Sequence, residues 1–137
     1  KAITIQQPLA AMIGLGVKKI EYRTWETSYR GKLAIHASAK MTKEHAEFCK
    51  KKSIITMLQP VVNRYGDLPL GKIIAVVDLV DIFPFTWHNL PKYLAIEKRF
   101  KFPCENEYCW VLEKPRFLDE PIPWKGQLGL WEIPREI

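Results

Sequence analysis

Two kinds of hydrophobic spacing set out the elements of this chain. Ala2 to Gln6, AITIQ, is a β-branched run that predicts a short strand. Gln7-Pro8 ends it, and Pro8 suits the first turn of a helix. Leu9 to Leu15, LAAMIGL, predicts a short buried helix, with Gly14 and Gly16 bracketing its end. Lys19 to Trp25 alternates as an extended segment. Thr27 to Gly31 is a polar turn. Lys32 to Ala37, KLAIHA, alternates again, with Leu33 and Ile35 on one face and His36 on the other. Helical spacing takes over after Thr42, a good N-cap, with His45 at the capping-box position where Glu is the usual residue. Lys43 to Lys52 reads as a charged amphipathic helix. Ile54 to Arg64 predicts a second one, broken or kinked at Pro60.

The most hydrophobic run is Lys72 to Phe83, KIIAVVDLVDIF, whose length and β-branching predict a long central strand. Asp78 and Asp81 interrupt it and predict a bend or a barrel rim. Pro84 to Pro103 carries turn signals, with a short helical piece expected at Tyr93 to Arg99. Tyr108 to Lys114, YCWVLEK, predicts a strand with Tyr108, Trp110 and Leu112 on one face. Arg116 to Ile122 is a further extended piece, Pro123 to Gly126 a turn, and Leu130 to Ile133 a last strand that closes the sheet. No internal repeat or linker divides the chain. The expected architecture is α+β, one domain over residues 1–137: a small mixed β-barrel of five to six strands with two or three peripheral helices.

Composition narrows the class. A chain of 137 residues, 47% of them hydrophobic, has the length of one domain and enough apolar surface for a core. A net charge of +6 favours an acidic partner such as nucleic acid. Cys49, Cys104 and Cys109 are an odd set without CxxC spacing, as expected of reduced thiols in an intracellular protein. The compartment expected is cytoplasmic, or nuclear if the source is a eukaryotic coregulator. No apolar run approaches the ~20 residues of a membrane span, and no signal-peptide pattern opens the chain. His36, His45 and His88 lack ligand spacing with the cysteines, so no metal is expected. Neither a phosphate loop nor a dinucleotide fingerprint is present, and no cofactor is expected.

Candidate chemistry concentrates in Gly16 to Trp25, GVKKIEYRTW. Strand alternation puts Lys19, Glu21, Arg23 and Trp25 on one face and Lys18, Ile20 and Tyr22 on the other. Acid, base and aromatic ring on one face suit a pocket wall that reads a polar planar ligand. The competing structural account is a solvated edge strand with an internal ion pair. His36 has a competing account too, as a satisfied, partly buried histidine.

The pattern QPxAxxxxxGxKxxExRxWxTxxRGxLxIxAxAK runs from Gln7 to Lys40 and resembles the signature of the ASCH family, the activating signal cointegrator homology domains. Gly71 to Asp81, with VDLVD, resembles that family's central strand, and PIPWKGQLGLWEI its closing hairpin. The resemblance implies a PUA-like β-barrel with a cleft lined by the signature. It also implies a divided function. Some members resemble RNA-binding modules of transcription and translation factors. Others are small hydrolases, among them ribonucleases and amidohydrolases acting on acetylated cytidine. In those amidohydrolases the signature Lys, a Thr three residues later and a downstream Glu work together. Lys18 matches the Lys; Glu21 stands where the Thr would be; Glu97, Glu105 and Glu107 are all possible for the downstream residue.

Three functions follow as expectations. The first is a module for RNA or single-stranded nucleic acid with a basic cleft, where lysines and Arg23 hold phosphates and Trp25 or Trp124 stacks a base. The second is a metal-independent hydrolase of a modified nucleoside or RNA, with Lys18 as general base and Glu21 orienting water. The third is a protein-interaction domain of a transcription or translation regulator, taking an acidic peptide. The candidate binding set is Gln7, Lys18, Glu21, Arg23, Trp25, Ser38, Lys40, Trp124 and Lys125. Lys18 and Glu21 form the candidate catalytic pair. Trp110 and Trp131 are expected in the core.

Overall fold

A computed structural model of the chain describes residues 1–86 and 107–133. The chain order is β1 (Ala2–Ile5), α1 (Leu9–Gly14), β2 (Ile20–Arg23), β3 (Gly31–Ala37), α2 (Lys43–Cys49), α3 (Lys52–Tyr65), β4 (Lys72–Pro84) and β5 (Tyr108–Pro123). The expected piece at Tyr93 to Arg99 lies outside the described residues, as do His88, Glu97, Cys104 and Glu105. Five strands and three helices make the α+β class that the spacing predicts.

The strands form one mixed sheet in the order β1-β3-β4-β5-β2. β1 runs parallel to β3, pairing Ala2 with Ala34 and Ile5 with Ala37. The other three pairings are antiparallel. β4 and β5 are the long strands, and their ladder shifts register three times, between Ile73 and Ala75, just before Asp78 and just before Asp81. The shifts at Asp78 and Asp81 each place one extra residue on one strand and bend it, so the two aspartates mark bends as their interruption of the run predicts. Two expectations need correction. Tyr108–Lys114 and Arg116–Ile122 are not separate pieces: they are one strand that turns through Lys114, in the left-handed region at φ 51. The long ladder with β4 carries pairing across that turn. Leu130–Ile133 is not a strand. Its contribution is a single bridge, Trp131 to Ala2, because Gly129 turns the chain at φ 67 immediately before it.

Burial is continuous from Leu33 to Ala37 and from Ile73 to Val77, because both faces of the sheet are covered there. Leu33, Ile35, Val77, Leu79, Trp110 and Leu112 meet Ile3, Ile5, Ala10 and Ile13 in the main core. Trp110 is fully buried, as expected, and Trp131 nearly so. A second cluster packs α1 on α3, where Ile54, Leu58 and Val61 recur at helical spacing. α3 runs through Pro60 as one 14-residue helix rather than breaking there, and Gly66 caps it in the left-handed conformation. Thr42 caps α2 by accepting from the His45 amide. His45 reaches back with its ring to the Thr42 hydroxyl, as the capping-box Glu would reach the backbone.

Two side chains tie layers together. Gln7 is fully buried; its carbonyl oxygen accepts from the Ala11 amide at 2.9 Å and its NH₂ donates to the Pro69 carbonyl at 2.9 Å. It therefore caps α1 and fastens it to the loop before β4. His36, on β3, is also buried. Its Nε2 lies 2.6 Å from the Trp124 carbonyl and its Nδ1 3.2 Å from the Thr4 hydroxyl. A carbonyl can only accept, so Nε2 carries the proton and Nδ1 accepts from Thr4.

Two predictions follow from this packing. Gly to Ala in a helix ordinarily gains about 1 kcal/mol. A Cβ on Gly14, however, would stand 2.3 Å from Cε1 of Phe117, a ring wedged beside Tyr65 between the two clusters. Gly14→Ala is expected to lose about 1–3 kcal/mol in urea denaturation; an unchanged midpoint would show that the ring yields freely. His36 gives a pH dependence. Burial pushes its imidazole below the usual 6.5, against the raising effect of the Trp124 carbonyl. The unfolded chain then takes up the proton first as pH falls. The contribution to stability is full above pH 6.5 and is lost as pH drops toward the lower folded value. Melting temperatures from pH 8 to 5 should show that fall, and His36→Gln should flatten it; an identical profile in the variant would remove His36 as its source.

Candidate functional site

The strand order leaves β1 and β2 at the two ends of the sheet, and no ladder joins them among the described residues. Arg23 spans the gap. Its Nη2 donates to the Thr4 carbonyl on β1 at 2.8 Å, and its Nε donates to Glu21 Oε2 on β2 at 3.0 Å. The guanidinium suits this because its donors lie in one rigid plane and point in different directions.

A cleft of about 550 Å³ opens along this seam. β1 and the residue after it supply Thr4, Ile5 and Gln6; β2 and its approach supply Lys18, Glu21, Tyr22 and Arg23. Ser38 enters from the end of β3, Thr42, Glu44 and His45 from the start of α2, and Glu107 from the residue before β5. Gln127, Leu128 and Gly129 complete the rim, with Leu128 almost fully exposed at 98%. Because β2 is a terminal strand, both of its faces reach the cleft. Ile20 packs away with Phe85, Cys109 and Val111.

Three features set the chemistry. Glu21 is 8% exposed, and Arg23 holds only its Oε2. The other oxygen, Oε1, has no hydrogen-bond partner among the described residues. Lys18, 6% exposed, lies with its ammonium 4.9 Å from the Tyr22 ring centre, a cation–π distance. Gln6 keeps its amide oxygen out of solvent with no hydrogen-bond partner among the described residues, an uncommon state for a buried acceptor. Lys18 also borders a second cavity of about 580 Å³, floored by Ile13, Val77, Val111 and Leu112.

Among the described residues the lining carries two cations, Lys18 and Arg23, and three carboxylates, Glu21, Glu44 and Glu107, so this part of the cleft is mixed in charge.

Of the nine residues singled out from sequence, Lys18, Glu21, Arg23 and Ser38 meet in this cleft. The other five are placed elsewhere. Gln7 is inside, spent on backbone groups. Trp25 packs edge-on against Trp110, with ring centres 4.8 Å apart, and its carbonyl accepts from the Trp110 indole at 3.3 Å. Trp124 packs beside Trp131 and Ile73. Lys40 and Lys125 are exposed and outside the cleft lining. Thr4, Gln6, Tyr22 and His45 were missed. The one missed signal in the sequence was Gln6, which shares its strand end with Gln7. Among the three downstream acids left open, Glu107 lines the cleft. Among the described residues no group of three or more His, Cys, Asp or Glu could hold a metal ion, and no helix is long and apolar enough to cross a membrane.

Comparison with known proteins gives the lineage. The chain is 26% identical over 143 residues to activating signal cointegrator 1 of Homo sapiens and 24% identical to that of Mus musculus, in each case over 98% of this chain. It spans 22% of the length of those relatives. The crystal structure of ASCH from Zymomonas mobilis superposes with a TM-score of 0.53 at 14% identity, covering 88% of this chain and 71% of that one; at that identity the likeness is one of fold. The family model of the ASCH domain matches residues 3–121. The chain belongs to the ASCH domain family.

Proposed function

We propose that this domain binds single-stranded nucleic acid, RNA above all, by receiving one base into the seam between β1 and β2. The observation that carries the reading is Glu21. Its charge is balanced by Arg23 through Oε2, and the residue lines the cleft, which leaves Oε1 to serve as an acceptor. A buried carboxylate oxygen of this kind suits a base edge that offers an exocyclic amine. Cytosine and adenine offer one; uracil does not. RNA is commonly read in this way, through unstacked bases received in pockets. Trp25 packs on Trp110, Trp124 is half-buried beside Trp131, and Lys18 lies over the Tyr22 ring, so the apolar contact to the base falls to the exposed Leu128. Glu21→Gln keeps the shape and removes an acceptor. It should weaken binding of a C-rich 12-mer RNA by about 10-fold, the worth of one hydrogen bond to a charged group, and leave a U-rich 12-mer nearly unchanged. Fluorescence anisotropy reads both; equal losses on the two would remove Glu21 from base reading.

A second reading is supported by the company of Lys18, Glu21 and Glu107 in one cleft. A lysine beside two carboxylates is a set that could move a proton and activate water on an acylated nucleoside. Glu21 argues against it, since a carboxylate held by Arg23 is a poor stand-in for an attacking hydroxyl. The expectation is that incubation with a panel of acylated cytidines gives no hydrolysis. Turnover that Lys18→Ala reduces by ~10²–10⁴, with the fold intact by circular dichroism, would establish the hydrolase instead.

A further inference from the structure

We infer that a three-lysine corner beside the cleft, Lys40, Lys72 and Lys125, holds the phosphates of the strand that flanks the bound base. The inference rests on the cleft reading above and deepens it.

Among the described residues the cleft lining has more carboxylates than cations, while the chain as a whole carries +6. Cations outside that lining are therefore the better candidates for backbone attraction. Several cations are already engaged. Lys50 pairs with Glu47, Lys51 lies over the Phe48 ring, and Arg64 and Arg116 pair with Asp119 and Asp78. Lys40, Lys72 and Lys125 have no ion-pair partner among the described residues.

These three come together through Gly71. The Gly71 amide donates to the carbonyls of Ala37 at 2.9 Å and Ser38 at 3.2 Å, and its carbonyl accepts from the Trp124 amide at 3.2 Å. Ala39 stands 3.7 Å from where a Gly71 Cβ would be. Lys40 follows Ala39, Lys72 follows Gly71 and Lys125 follows Trp124. Each lysine is thus the chain neighbour of Gly71 or of a residue touching it, one Cα step of about 3.8 Å away. Lys72 itself pairs with Ala37 on one side and Pro123 on the other. The corner is continuous with the cleft: Ser38 and Thr42 lie two residues either side of Lys40, and Gln127 two beyond Lys125. A strand with one base in the seam passes its neighbouring phosphates over this corner.

The test is a salt titration of RNA binding. The probe is the C-rich 12-mer, and the proteins are wild type, Glu21→Gln, and the triple variant Lys40→Gln, Lys72→Gln, Lys125→Gln. Single strands lose about 0.7 in the slope of log K against log salt for each phosphate contact removed. The triple variant should flatten the slope by about 2, whereas Glu21→Gln should lower affinity at every salt with its slope kept. An unchanged slope in the triple variant, with Glu21→Gln still weakened, overturns the corner and leaves the cleft reading standing. No effect from Glu21→Gln overturns the cleft reading. If poly-glutamate competes as strongly as RNA per unit charge, and with the same lysine dependence, the corner is a surface for acidic protein and the inference fails.

Discussion

The Arg23 guanidinium is the contact on which both the sheet and the cleft depend. A five-stranded sheet ordered β1-β3-β4-β5-β2 has two ends, and among the described residues no ladder joins them: Arg23 and a cleft lie between. Exposed ladder edges are a liability that proteins cover in some way. Here the cover is one planar cation that bonds a backbone carbonyl on β1 and a carboxylate on β2. Without a seam there would be no cleft, and without Arg23 the seam would have an unpaired carbonyl and an uncompensated carboxylate. Fold and site share one residue, so neither can be altered alone.

The same contact explains the electrostatics. Glu21 is nearly buried, and a carboxylate in that position is tolerated only when paired. Arg23 neutralises the charge but uses one oxygen, and the other keeps its capacity to accept. A surface acid beside a lysine would be flexible and screened. This one is held by a strand on one side and a guanidinium on the other. Fixed orientation is what turns a carboxylate into a reader of hydrogen-bond donors.

The hydrophobic pattern made most of the fold legible. β1, β3 and β4 begin and end within one or two residues of their predicted limits because each is a β-branched or apolar run bounded by polar and turn residues. Arg116–Ile122 looked separate from Tyr108–Lys114 because Lys114 and Pro115 mimic a break, and only pairing with β4 carries the strand through. The site was legible in part. Lys18, Glu21 and Arg23 stood out by their mixed chemistry on a short strand. Gln7 and Trp25 looked equally functional, and no local pattern distinguishes a glutamine that caps a helix from one that faces a cleft. Their roles are fixed by partners far along the chain: Pro69, 62 residues from Gln7, and Trp110, whose indole bonds Trp25 across 85 residues. Glu107 was one of three choices until the start of β5 brought it beside β2.

Charge shows the same limit from another direction. A net +6 suggested a basic cleft, but the sum over a chain does not say where the excess lies. The seam can keep one buried acid because Arg23 holds Glu21, while Glu44 is exposed and Glu107 half-buried at its rim. Lysines have long, strongly hydrated ends that lose much rotamer freedom when ordered, so most stay outside. That division separates two tasks. Recognition of one base requires groups that are fixed and partly dry, where a hydrogen bond made or missed changes affinity most. Attraction of a backbone requires mobile, solvated cations whose effect is additive and salt-dependent. A cleft that tried to do both with the same residues would do the first poorly, because a loose ammonium satisfies any acceptor. Lys18 is the exception that fits the argument: it enters the cleft, but its ammonium is held over the Tyr22 ring and so behaves as part of the wall.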